Sequence, residues 1–310
     1  VSDKIGWPAL AQRQAGAISR AQLFAHGVTR ATISAHLVGG RWQRPIPGVL
    51  VTFTGPLPAP TREWVALLHA GEGALLSHRT AGALWRLLPE RARYPIHVLI
   101  PADRRVRSRR GIVVHRTRVP AEPVGSPPRT GAARTAIDLC ARAKNLTEIA
   151  GILGQLAQCQ PDAIETARNL LAVAPTLPRR ADIAAVLDDV AGGAHSALEW
   201  HYLVDVERAH GLPTGDRQRP LGGSRQDVHH REYRTTVELD GRVVHQPSRA
   251  AWHDRARDNA AASRGEMTLR YGWADVRDRP CAVAAEVAAV LRVGGWPGGL
   301  RRCGSVCRVS

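Results

Sequence analysis

Glu199, Asp227, Glu238, Asp240 and His245 are the residues of this chain whose types and spacing suit chemistry. The stretch "VELDGRVVHQP" (237–247) alternates apolar and polar residues, carries the carboxylates Glu238 and Asp240, and reaches His245 five positions later. Asp227 lies eleven positions before Glu238, and Glu199 stands further upstream in "HSALEWHYLVDVERAHGLP" (195–213). Hard divalent cations such as Mg2+ or Mn2+ take carboxylate oxygens and keep several waters. Such an ion neutralises charge developing on a phosphoryl group and makes a bound water easier to deprotonate. A histidine titrates near neutral pH and can take that proton. Each acid alone reads more simply as a strand-end or helix-cap residue; the set in this order points to a cation.

Regular elements are needed to bring these residues together. The 195–213 stretch predicts an amphipathic helix ended by Gly211 and Pro213, with Glu199 in its first turn. "RQDV" and "YRTTVELD" are β-prone runs joined by "HHRE", which predicts a hairpin. Period-2 alternation puts Thr236, Glu238 and Asp240 on one face, with Val237 and Leu239 on the core face. A helix over 248–265, a strand over 267–273 and a final helix over 280–292 follow.

Residues 195–276 resemble the PD-(D/E)XK nuclease superfamily, in particular the short-patch mismatch-repair (Vsr-like) endonucleases. The carrying residues are Asp227, "EYR" (232–234), "VELDG" (237–241), His245, "HDRARD" (253–258) and "RGEMTLRYGWADV" (264–276). The resemblance implies a restriction-endonuclease-like α/β domain with a mixed sheet, hydrolysing phosphodiester bonds with Mg2+ or Mn2+. It implies Asp227 as the main metal ligand beside Glu238 and Asp240, Glu199 as the helix acid, and His245 as general base or metal-water partner. Arg257 and Arg270 either hold phosphate or pair with Asp254 and Asp258, and the pairing is the favoured reading. Two departures stand out. Asp240 occupies the position where the superfamily expects Lys, and Arg242 follows Gly241 where the mismatch endonucleases begin their zinc ligands.

The excess charge lies elsewhere. The formal net charge is +16, carried almost wholly by arginine, since Lys4 and Lys144 are the two lysines. Residues 195–280 hold 14 Arg against 13 acids, whereas "PADRRVRSRRGIVVHRTRV" (101–119) holds seven Arg and one Asp. An anionic polymer is the natural partner of such a chain, although an arginine-rich coding bias would give the same composition. Arg104, Arg105, Arg107, Arg109 and Arg110 fall between two β-prone runs, "IHVLI" (96–100) and "GIVVHR" (111–116), in an exposed loop or hairpin suited to phosphate contact. A solvated basic turn is the other reading of that run.

At the N-terminal end, "SRAQLFAHG" (19–27) predicts a helix capped by Ser19, "GVT" a tight turn, and "RATISAHLVGG" (30–40) a second helix capped by Thr29. "GRWQRPIPGVLV" then predicts two short strands around a Pro-Gly bend. Helix-turn-helix plus a basic hairpin is a winged helix. Its second helix would offer Thr29, Arg30, Thr32 and His36 to a major groove, and Arg41 and Arg44 on the wing would meet phosphate. "AISRAQLFAHGVTRATISAHLVGGRWQRPIPGVLV" (17–51) resembles the N-terminal winged helix of AbiEi-family antitoxins of type IV toxin–antitoxin systems. That implies DNA binding and a cognate toxin; a structural or partner-binding role is the alternative.

The expected fold is therefore α/β multi-domain: a winged helix over 1–55, a mixed α/β middle region over 56–180, and the nuclease-like domain over 181–310. The Pro-marked break "APTLPRR" (174–180) is the expected linker. Five cysteines, an odd number without a framework spacing, suit a reducing cytoplasm, and no apolar run approaches a membrane span. Cys281, Cys303 and Cys307 follow a loose C-x21-C-x3-C pattern. Free or buried thiols are the reading that this spacing favours, and a Zn2+ site completed by a histidine is the alternative. The functional expectation is a DNA-binding protein with a metal-dependent endonuclease domain. A non-enzymatic antitoxin or transcriptional regulator with a degenerate nuclease fold is the competing one, and RNA is an open alternative to DNA.

Overall fold

The computed structural model describes residues 5–221, 224–240, 265–307 and 309. The chain is a multi-domain α/β protein that divides into two compact units, Val1–Arg142 with Glu165–Val173, and Ala143–Ile164 with Ala174–Ser310.

The first unit begins with α1 (Trp7–Arg13), β1 (Ala17–Ser19), α2 (Arg20–Ala25), α3 (Arg30–Val38), β2 (Gln43–Ile46) and β3 (Val49–Val51). Ser19 and Gln22 form a reciprocal capping box that starts α2. Gly27 adopts φ +74°, which lets the chain turn before Thr29 caps α3. The three strands pair antiparallel in the order β1-β3-β2, so the expected helix-turn-helix and wing are joined by a further helix and strand ahead of them. Ala11, Ile18, Leu23, Ile33, Trp42 and Leu50 form its core.

Next come α4 (Ala59–Ala70), β4 (Leu75–Leu76), α5 (His78–Leu84), β5 (Ile96–Pro101), β6 (Ile112–Thr117) and α6 (Ala132–Cys140). Strands β5 and β6 pair in parallel, Ile96 beside Ile112 through Pro101 beside Thr117. This corrects one of the two expectations for the arginine run. A hairpin would pair the strands antiparallel; here residues 102–111 carry the chain back along the strand as a crossing loop. Val106 packs on the core beneath, and Arg104 donates to the Glu72 carbonyl.

The second unit holds α7 (Leu146–Cys159), while α8 (Ala163–Ala172) belongs mostly to the first; α9 (Arg180–Ala191) and α10 (Ala197–His201) follow. The α10 helix runs on as a π-helical stretch over Tyr202–Arg208. The wider turn changes which side chains share a face, and Tyr202, Leu203 and Val206 are all buried. Strands β7 (Asp216–Leu221), β8 (Ser224–His230), β9 (Thr235–Asp240) and β10 (Met267–Gly272) form one sheet in the order β10-β9-β8-β7. β7, β8 and β9 are an antiparallel meander, and β10 lies parallel to β9. β7 was not legible as a strand: its sequence, DRQRPL, is polar and contains Pro220, which an edge strand tolerates. Helices α11 (Trp273–Asp278) and α12 (Pro280–Val293) complete the unit.

Leu198, Tyr202, Val206, Val228, Val237, Leu239, Tyr271, Val283, Val287 and Leu291 pack the helices onto one face of this sheet. A buried ion pair crosses the core edge, where Arg217 of β7 meets Glu207 of the π stretch. Burial pushes the Glu207 carboxyl up to about 7 even against the pull of Arg217. Among the described residues, no helix is long and apolar enough to cross a membrane.

Candidate functional site

Pairing between β8 and β9 sets the acidic face. Val228 sits beside Val237, His229 beside Thr236 and His230 beside Thr235. Continued by one residue, that register puts Asp227 opposite Glu238, and directly opposed residues share a face of the sheet. The expected alternation is met: Val237 and Leu239 are in the core, Glu238 is half-buried and Asp240 exposed on the other side. Thr236, on the acidic face, is buried and bonded to His229 and Gln226.

Asp227 anchors the cluster. Its Oδ2 accepts the Leu239 backbone N–H at 2.6 Å. Burial, together with the charges of Glu199, Glu238 and Asp240, pushes the Asp227 carboxyl up to about 7, although the Leu239 amide pulls it down. Four carboxylates therefore act on one another here, and the central one resists ionising. Among the described residues, the group whose ligand atoms converge closely enough to hold a metal ion is not this one but the histidine and cysteine cluster described below.

Glu199 is 6% exposed in the first turn of α10. Its Oε2 accepts both the His195 backbone N–H at 3.0 Å and Gln218 Nε2 at 2.7 Å, while Ser196 caps the Glu199 amide. The residue thus braces the helix start as well as facing Asp227. Arg270 of β10 lies beside Glu238 in the parallel register. Its expected pairing with Asp254 and Asp258, like His245, Arg257 and the helix over 248–265, falls outside the described residues.

In the winged helix, Thr29 and Thr32 bond to each other at 2.9 Å at the exposed start of α3, and Arg30 and Arg44 are exposed. His36 does not stand free as a base reader. Its ring stacks on Trp42 at 4.2 Å and its Nδ1 accepts Arg41 Nε at 3.1 Å. On the crossing loop, Arg105, Arg107, Arg109 and Arg110 are exposed and Arg104 is half-buried.

Two histidine-containing clusters were poorly legible in the sequence. In the first unit, His78, His97 and His115 stack together, with His97 Nδ1 2.9 Å from His115 Nε2 and the His78 and His115 rings 3.7 Å apart. Burial and neighbouring positive charge push His78 down to about 2 and the other two to about 4, so all three are neutral near pH 7. Their rings lie face to face, an arrangement of packing rather than of ligands converging on a point. In the second unit, Cys281, Cys303 and Cys307 meet His210, with their sulfur and nitrogen atoms all within 4.8 Å of one another. That cluster could hold a metal ion such as Zn2+. The three cysteines are free thiols, as the favoured expectation had it, and the C-terminal segment brings them beside His210 by folding back onto the helix that carries it.

No protein-family model matches the sequence, and no curated protein matches it. Among solved structures, the chain is similar to the crystal structure of the Rv2827c protein from Mycobacterium tuberculosis, at 16% identity and a TM-score of 0.38. That match covers 64% of this chain and 78% of the other, and at this level it carries no argument about function.

Proposed function

We propose that the protein binds nucleic acid, DNA in the first instance, and cleaves phosphodiester bonds with a divalent cation at the acidic face of the second unit. The observation that carries this reading is the Asp227 carboxyl, held by the Leu239 amide and pushed up to about 7 by burial and by the charges of Glu199, Glu238 and Asp240. The order of helix, three-stranded meander and returning parallel strand, with acids on the middle strands, supports the PD-(D/E)XK resemblance.

Asp227, Glu238 and Asp240 would hold Mg2+ or Mn2+, which when bound supplies charge neutralisation at phosphate and an acidified water. Asp227 offers Oδ1 to the cation while the Leu239 amide fixes Oδ2. Because it must be ionised to do so, cation affinity rises as pH passes about 7. Glu199 contributes negative charge and holds Gln218 of β7 to the start of α10. Arg270, beside Glu238, brings positive charge to a face where Asp240 replaces the superfamily's Lys. His245 remains the proposed proton acceptor. The exposed arginines of the crossing loop, with Arg30 and Arg44, are the proposed phosphate contacts.

Nicking of supercoiled plasmid with Mg2+ or Mn2+ tests this, comparing wild type with Asp227→Ala and Glu238→Ala. Activity in the wild type that both substitutions abolish supports the reading, and activity that survives both overturns it. Asp240 in the Lys position favours a second reading, a non-enzymatic regulator of the AbiEi antitoxin kind that binds DNA and a protein partner. Duplex binding without cleavage of any DNA or RNA form, under any divalent metal, would move that reading ahead.

A further inference from the structure

We propose that His210, Cys281, Cys303 and Cys307 bind one Zn2+ ion that fastens the C-terminal segment to the end of the α10 helix, separately from the acidic face. Cys281 Sγ lies 3.6 Å from Cys303 Sγ and 3.6 Å from Cys307 Sγ, and Cys307 Sγ lies 3.7 Å from His210 Nε2. In a tetrahedral site with Zn–S near 2.3 Å, ligand atoms are separated by about 3.7 Å. A disulfide needs sulfurs at about 2.05 Å, so these thiols stand at the wrong distance for one and at the right distance for a shared ion.

The histidine is prepared for the role. His210 is fully buried, and its Nδ1 lies 3.1 Å from the Val206 carbonyl. A carbonyl only accepts, so Nδ1 carries the proton and Nε2 presents its lone pair to the sulfurs. A second partner that fixes the tautomer in this way is a recurring feature of histidine ligands. Cys281 sits in the first turn of α12. Three S–H groups give up protons as three Zn–S bonds form, and zinc stays in its 2+ state throughout.

The four ligands come from three separate places: the helix end, the start of α12, and the segment after Gly294. That segment has no regular helix or strand among its described residues. It is already docked on the same helix end, since the Arg301 N–H donates to the His210 carbonyl at 2.9 Å and the Arg301 guanidinium reaches the Arg208 and Ala209 carbonyls. Four protein ligands close the coordination sphere, which marks a structural ion. Glu199 lies eleven residues back along the helix, in its first turn.

The test is the metal content of the full chain, purified under reducing conditions and measured by elemental analysis. About one Zn per chain is expected, together with tetrahedral d–d bands and sulfur-to-metal charge transfer when Co2+ replaces it. Cys303→Ser combined with Cys307→Ser should lower zinc occupancy at least tenfold. Cys159→Ser, outside the cluster, should leave it intact, and His210→Cys should retain it through a fourth thiolate. A wild-type chain that takes up neither Zn2+ nor Co2+, an octahedral Co2+ spectrum, or full zinc retention in the double variant would overturn the proposal. These readouts do not depend on cleavage, so failure of the nuclease reading leaves them interpretable.

Discussion

The second unit gathers two sets of side chains of metal-ligating type, four acids and a histidine with three cysteines, and they differ in chemistry and in how the chain delivers them. The acidic set is hard, and a β-ladder delivers it: Val228 pairs with Val237, and Asp227 and Glu238 are the next residues along, on the other face. The thiol and imidazole set is soft, and an irregular segment from far along the chain supplies two of its members. A cation at the first would be exchangeable and chemically active, whereas one at the second would be part of the fold. Regular structure can aim reactive groups without an ion, while the segment after Gly294, with no regular helix or strand among its described residues, gains most from a cross-link.

Experiments that separate the two sets follow from this contrast. The largest expected effect is on cleavage, where Asp227→Asn should lower the Mg2+-dependent rate by about 10³-fold, several kcal/mol of lost charge stabilisation. The asparagine oxygen can still accept the Leu239 amide, so circular dichroism should be unchanged, and cleavage at the wild-type rate would remove Asp227 from the site. Cys303→Ser with Cys307→Ser should act on stability instead. Loss of a structural ion worth about 3 kcal/mol would lower the unfolding midpoint by about 6–12 °C in a unit of this size. Equal midpoints with and without the two cysteines would show that the segment holds itself in place.

A smaller effect concerns pH. Asp227 sits at about 7 in the folded chain and near 3.9 when unfolded. Between those values the folded state binds the extra proton, so stability without metal falls as pH rises from about 4 to about 7. Glu207 titrates in the same range with the same sign, so the readout is the difference between wild type and Asp227→Asn. The variant should lose part of the slope, and Mg2+ should raise the wild-type midpoint more at pH 8 than at pH 5. Parallel slopes would assign the titration to another group. The smallest effect belongs to the first unit, where Arg30→Ala with Arg44→Ala should weaken duplex binding a few-fold and reduce the salt slope by up to about 2. An unchanged slope would take the winged helix off the DNA surface.

What could be read in advance was what repeats locally. Ser19 before α2, Thr29 before α3, and the inward Val237 and Leu239 against the outward Glu238 are set by periods of a few residues. Arg270 was visible as a charge, but its place beside Glu238 depends on the parallel pairing of β10 with β9. The stacking of His36 on Trp42, the bond from Gln218 to Glu199 and the meeting of His78 with His97 and His115 also require tertiary structure. The thiol cluster was half visible: three cysteines could be counted, but nothing near His210 in sequence connects it to a segment some ninety residues later.

The single bond from the Leu239 amide to Asp227 ties assembly of the acids to correctness of the fold. If β9 slipped by one residue against β8, Leu239 would turn outward and Glu238 inward, and Asp227 would lose both its neighbour and its amide donor. A chain still emerging from the ribosome, or one paired out of register, would not assemble the acidic face at all. Under the proposed nuclease reading, the same strand that builds the site would also keep every misfolded copy harmless.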